Sequence, residues 1–167
     1  GLIINQLAKL NQHKINTSMT PKVTIFQNIK ETDTPFHREV QFILDRIKEG
    51  ASKKLVKSIR STKDKTERNE LKKKLPALCF SGIFNKRKDS ALTEHSGLIC
   101  LDFDGYEKTK LLLEHKERLT KDQYVYSVFI SPSGNGLKVL VKIPANPENH
   151  ISYFNALEKY FDSPYFD

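Results

Sequence analysis

The stretch LICLDFDG, Leu98 to Gly105, and the stretch YVYSVFISPSGNGLKVLVKI, Tyr124 to Ile143, decide the fold. Leu98 to Phe103 is a near-continuous apolar run that ends in acids, which reads as a buried strand. Tyr124 to Ile130 is β-branched and aromatic, hence a second strand. The turn chemistry of SPSGNG follows, and Leu137, Val139, Val141 and Ile143 then alternate with Lys138, Leu140 and Lys142, so the two strands form a hairpin. Between the first two strands, Glu107 to Leu119 carries Leu111, Leu112 and Leu119 at helical spacing. Beyond the hairpin, Pro147 opens a helix with Ile151, Phe154, Leu157 and Phe161 on one face. Ser163-Pro164 ends it, and Tyr165-Phe166-Asp167 can begin a strand. The order strand, helix, strand, strand, helix, strand is the split βαβ pattern of ferredoxin-like and RNA-recognition-motif folds. A right-handed crossover makes the first two strands parallel, and the hairpin makes the third antiparallel to them. In the usual arrangement the first strand lies between the third and the fourth. Asp102 and Asp104, Gly136 to Lys138, and Asp167 are thereby expected at one place.

Working outward, the first half reads as a basic αβ module over residues 19–96, ahead of the RNA-recognition-motif-like module over 97–167, an α+β chain in all. The strand-like VTIF follows Met19 closely. Thr34-Pro35 reads as N-cap and first helical residue, and Phe36, Val40, Ile43 and Ile47 extend the helix to Glu49 before Gly50. Leu55, Val56 and Ile59 suggest a second helix, Pro76 breaks the charged stretch that follows, and Ala77 to Ser81 looks like a strand entering a turn at Gly82. Residues 1–18 read as a leader or foreign segment, without the apolar core of a signal peptide.

The chain of 167 residues has a net charge of +8. Between Arg46 and Lys88 lie 15 Lys/Arg against four Asp/Glu, so the positive charge is regional and points to an anionic partner. Arg60, Lys72, Lys73, Lys74, Lys86, Arg87 and Lys88 are the candidates for following nucleic-acid phosphates, against the plainer reading of a solvated helical face. No apolar run approaches the roughly 20 residues of a membrane-spanning helix. Cys79 and Cys100 sit in apolar runs without metal-ligand spacing and read as buried free thiols of a cytoplasmic protein. His37, His95, His115 and His150 share no zinc spacing and read as structural or surface groups.

The chemistry-bearing residues lie at strand ends. Asp102 and Asp104 point to one face while Phe103 points to the other. Two neighbouring carboxylates repel unless a cation separates them, and their oxygens suit hard ions such as Mg²⁺ or Mn²⁺ that bridge to phosphates. Asp-x-Asp-Gly is also an ordinary way to leave a strand. Asp167 is the favoured third acid, and Asp162 its competitor at a helix end. In SPSGNG, Ser133, Gly134, Asn135 and Gly136 can offer backbone N–H groups to an anion, with Lys138 and Lys142 following on one face. That face offers acids and lysines rather than the stacking aromatics of an RNA-binding sheet.

In ordered combination, LPALCFSGIFNKRKDSALTEHSGLICLDFDG, VFISPSGNGLKVLVKI and the YF-rich helix resemble the archaeo-eukaryotic primase superfamily. The nearest likeness is to the primase-like amino-terminal domain of VirE-type proteins and of primase-helicase fusions from phages and mobile elements. The resemblance spans roughly residues 19–167 and implies template-directed nucleotidyl transfer during priming of DNA replication. By position it implies two divalent ions, Mg²⁺ or Mn²⁺, on Asp102, Asp104 and Asp167. Nucleoside triphosphate would then be held by Ser133 to Lys138, with single-stranded DNA as template and a helicase domain elsewhere in a longer protein. Many members place a histidine where this chain has Lys138, and the family continues past the position of Asp167, as expected of a fragment. A catalytically inactive nucleic-acid-binding module is the alternative.

Overall fold

A computed structural model describes residues 20–167, which divide into two units, Thr20–Ser96 and Gly97–Asp167. The expected leader over residues 1–18 lies outside the described residues. The chain is mixed α+β, and each of the three sheets seen among the described residues is antiparallel.

In the first unit, β1 (Lys22–Phe26) lies between β2 (Phe36–Glu39) and β3 (Ala77–Cys79). Helices α1 (Val40–Glu49), α2 (Lys53–Ser61) and α3 (Lys65–Lys72) connect β2 to β3. Strands β4 (Gly82–Phe84) and β5 (Leu92–His95) form a separate ladder. The helix expected from Pro35 begins only at Val40. Phe36 to Glu39 instead pairs with Ile25 to Lys22, and the Val40 N–H donates to the Pro21 carbonyl, so partners in β1 override a sequence that also fits a helix. At its other end α1 stops at Gly50, in the left-handed conformation with φ 77°, as the sequence suggests. Thr24 is fully buried, and its hydroxyl donates to the Gly82 carbonyl while accepting from the Phe84 N–H, which joins β1 to β4.

In the second unit, β6 (Leu98–Phe103) is followed by α4 (Thr109–Thr120), β7 (Val125–Ile130), β8 (Leu137–Lys142) and α5 (His150–Phe161). The sheet order is β6-β8-β7, with both neighbours antiparallel to β8. Phe166 makes an antiparallel bridge to Phe103 on the other side of β6. That bridge is all the fourth strand amounts to within the described residues, and it occupies the outer position expected of it. One face of the sheet supplies Ile99, Leu101, Phe103, Leu137, Val139 and Val141 to a core completed by Leu112 and Leu119 of α4 and Tyr153 and Leu157 of α5. Each such side chain contributes about 1.5–3 kcal/mol when fully buried, so this face pins the register of β6 against β8.

Phe103 is the hub of an aromatic group. Its ring meets those of His115, Phe161 and Phe166 edge to face, at centroid distances of 5.3, 5.8 and 5.4 Å. Nearby, Tyr106 stacks on Tyr165 at 4.0 Å.

Candidate functional site

Because β6 alternates, the buried Leu101 and Phe103 leave Asp102 on the opposite face, where β8 sets Lys138 directly across from it. The Lys138 ammonium donates to Asp102 Oδ1 at 2.8 Å, with about half of the aspartate side chain and a third of the lysine still exposed. Burial pulls the lysine's pKa down, but the hydrogen bond and negative charge of Asp102, aided by Cys100 and Asp104, outweigh it and raise the net value. Lys138 is therefore a persistent cation.

The last residues add a third acid to this row. Asp167 N–H donates to the Asp102 carbonyl at 3.0 Å and Asp104 N–H donates to the Tyr165 carbonyl at 2.7 Å, flanking the Phe103–Phe166 bridge and setting Asp167 opposite Asp102. Asp162, the competing acid, is the left-handed residue that ends α5, with φ 43°.

Asp104 lies against the glycine turn. Its Oδ1 accepts from the Gly105 N–H at 2.9 Å and would stand 3.1 Å from a Cβ placed on Gly136, which would also meet the Phe103 carbonyl oxygen at 2.8 Å. Only a residue without a side chain lets the turn approach β6 this closely. Within the turn, Ser131 N–H donates to Gly136 and Gly134 N–H to Ser131, while Gly134 holds φ 85°. Ser133 donates to Asn135 Oδ1 at 2.6 Å. Since Pro132 has no N–H, the expected anion cradle comes down to the N–H groups of Ser133, Asn135 and Gly136.

The face that bears Asp102 and Lys138, on which Leu98 and Leu140 are fully buried, also carries aromatics that the sequence reading did not assign to it. Phe129 pairs with Lys138, extending the row Asp167, Asp102, Lys138. A bulge between Val125 and Ser127 brings Tyr126 to the same face, where Lys142 Nζ lies 5.3 Å from its ring centroid. Alternation in VYSVFI was the available signal, since the register sets Val128 and Ile130 on the core side of β7.

Among the described residues, no group of three His, Cys, Asp or Glu side chains is arranged to hold a metal ion. The donors that are present are two exposed carboxylates, Asp102 and Asp104, with Asp167 alongside. Mg²⁺ is commonly held by one or two carboxylates together with substrate phosphates, which is the number of exposed acids, Asp102 and Asp104, beside the glycine turn; the Lys138 ammonium occupies Asp102 Oδ1.

Of the remaining candidates, Cys100 shares the Asp102 face of β6 and the others lie elsewhere. Cys100 is half-buried and free, and burial pushes its thiol up to about 12, with Lys138 opposing; Cys79 is half-buried and its thiol is raised by burial too. His115 is buried against the Tyr106 hydroxyl, His37 bonds to Thr24, and His95 is buried. In the first unit, Arg60 lies in the last turn of α2, Lys72 ends α3, and Lys73 and Lys74 follow it. Lys73 pairs with Glu70 at 2.6 Å and Lys86 with Asp33 at 3.8 Å. Arg87 ties down the preceding loop, its Nη1 donating to the Ile29 carbonyl at 2.6 Å and its N–H to Thr32 at 2.9 Å, and Lys88 is exposed beside it. The 28–33 loop, the end of α3 and the 86–88 turn are thereby drawn together, since the Ile29 N–H reaches the Lys73 carbonyl at 3.5 Å. No helix among the described residues is long and apolar enough to cross a membrane.

Neither a curated protein nor a solved structure matches the chain. A family model described as BT4734-like, N-terminal domain, matches residues 70–165, a span that takes in β6, the SPSGNG turn and α5. That span is more than half of the 167 residues, and the chain therefore belongs to the BT4734-like N-terminal domain family.

Proposed function

We propose that the Gly97–Asp167 unit is the metal-dependent nucleotidyl-transfer core of a DNA primase-polymerase. The observation that carries the reading is the close approach of Asp104 to Gly136 beside the Asp102–Lys138 pair, which sets acids, a glycine turn and a cation on one sheet face. Asp102 and Asp104, with Asp167 closing the row, are the residues that would hold Mg²⁺ or Mn²⁺. Such ions supply charge neutralisation and orientation of a triphosphate. Lys138 offers a point charge to the β- and γ-phosphates, and the N–H groups of Ser133, Asn135 and Gly136 would donate to the same anion, with Gly134 shaping the turn. Lys142 adds positive charge on that face. The basic residues Arg60, Lys72, Lys73, Lys74, Lys86, Arg87 and Lys88 hold the phosphates of a single-stranded DNA template, and a helicase domain in a longer protein would supply that strand.

Replacing Asp102 and Asp104 together with Asn tests the reading. Primer synthesis and extension on a single-stranded template, measured with Mn²⁺ and nucleoside triphosphates, should vanish; activity equal to that of the unaltered protein would defeat it. A second reading draws on Phe129 and Tyr126: a passive module that stacks bases on this face. It requires salt-sensitive DNA binding that neither Mn²⁺ nor a triphosphate alters.

A further inference from the structure

The Lys138–Asp102 pair bears on the order in which ligands arrive, and the inference rests on the reading just given. Lys138 is held to Asp102 by cross-strand register, not by chance contact of two long surface chains: the residues are direct partners in the β6–β8 ladder, and the buried Phe103 and Leu137 fix that ladder one position away. The ammonium donates to Oδ1 at 2.8 Å, and the other acid acting on it is Asp104. A divalent cation bound to the same carboxylate would lie within a few ångströms of this charge. Like charges so placed repel, and the oxygen lone pair that serves the ammonium is not available to the ion.

We propose that Lys138 is a placeholder cation that keeps divalent metal off Asp102 until a triphosphate draws the lysine away, so that metal and triphosphate bind together rather than metal first. The triphosphate gives the ammonium an alternative anion of higher charge. Once Lys138 turns to it, Asp102 is exposed to the ion the triphosphate brings. Binding of either partner then strengthens binding of the other by the same factor.

Mn²⁺ binding to the full chain, followed by electron paramagnetic resonance of the free ion, tests this with and without a non-hydrolysable nucleoside triphosphate analogue, each titration being corrected against the same Mn²⁺ and analogue without protein. The unaltered protein should bind Mn²⁺ alone weakly. Lys138→Met should bind Mn²⁺ alone about tenfold more tightly, the order expected of one charge-assisted hydrogen bond in a half-exposed site. Lys138→Gln, which can still hydrogen-bond but carries no charge, should show the same direction, and in both variants the strengthening of Mn²⁺ binding by the analogue should shrink. Equal Mn²⁺ affinity in the unaltered protein and both variants, with the analogue strengthening all three alike, overturns the placeholder role while leaving the nucleotidyl-transfer reading in place. Absence of Mn²⁺ binding to all three proteins even with the analogue overturns that reading and this inference together.

Discussion

Gly136→Ala is the sharpest test of how the glycine turn meets the acid-bearing strand. The added methyl would stand 2.8 Å from the Phe103 carbonyl oxygen, 3.1 Å from Asp104 Oδ1 and 3.2 Å from Ser131 Oγ. Two of these neighbours are side-chain atoms that can turn aside. The carbonyl cannot, because Phe103 is 1 % exposed and its cross-strand partner Leu137 is equally buried. Overpacking of this kind costs about 1–3 kcal/mol. For a chain of this size each kcal/mol lowers the melting temperature by roughly 2–4 °C. Gly105→Ala is the control: at φ 80° nothing lies within 4 Å of the added atom, so its cost of about 1–2 kcal/mol comes from backbone conformation alone. Asparagine tolerates that conformation, so Gly105→Asn should recover much of the loss, whereas Gly136→Asn should recover none. Urea unfolding of the four variants measures these differences, and hydrogen exchange at the Asp104 amide should speed up for Gly136→Ala. Unchanged stability of Gly136→Ala, or rescue at Gly136 by asparagine, would refute the packing argument.

His115→Phe should keep the ring contact with Phe103 but leave the buried Tyr106 hydroxyl without its partner, at about 1–3 kcal/mol by urea unfolding. Burial, with Arg118 adding, holds the His115 pKa below its ordinary value of about 6.5, so the unfolded chain takes up the proton more readily. Stability from this site is full above about pH 6.5 and falls as the pH drops through the folded value; His115→Phe should flatten that slope in unfolding measured from pH 7.5 to 5. Leu101→Ala, at a fully buried position in β6, should cost about 2–5 kcal/mol in the same assay. Binding of a single-stranded oligonucleotide should weaken with salt at about 0.7 log unit per neutralised phosphate, and the double change Lys74→Gln, Lys88→Gln should reduce that slope by about 1.4 in fluorescence anisotropy titrations.

The second unit was the more legible half, because its strands announce themselves by period-two alternation and its connections obey handedness. LICLDF and LKVLVK put Ile99, Leu101, Phe103, Leu137, Val139 and Val141 on the core face, while the buried Leu98 and Leu140 sit on the other face with Asp102 and Lys138. The first unit hides more. Phe36 to Glu39 carries a helix-start signal at Thr34-Pro35 and apolar spacing that fits α1, and only the distant Lys22–Ile25 segment turns it into a strand. The β4–β5 ladder was invisible for a similar reason: GIF and LTEH are too short for periodicity to speak. At the site, the meeting of the acids with the glycine turn could be read from topology. The ammonium seated on Asp102 could not, since ion pairing depends on rotamers that a pattern of residue types does not encode. Phe129 was readable from the alternation of VYSVFI, which sets it on the Lys138 face opposite Val128 and Ile130.

Phe103 separates the two aspartates along the chain and roots its ring among His115, Phe161 and Phe166. Asp102 is thus mounted on the strand itself, and Asp104 is the first residue beyond it. An interior substitution that tilts this ring would re-aim both acids without touching either. Under the nucleotidyl-transfer proposal, turnover alone would then confuse a misdirected carboxylate with a missing one, while the free energy of unfolding, lowered in the first case and nearly untouched in the second, would tell them apart.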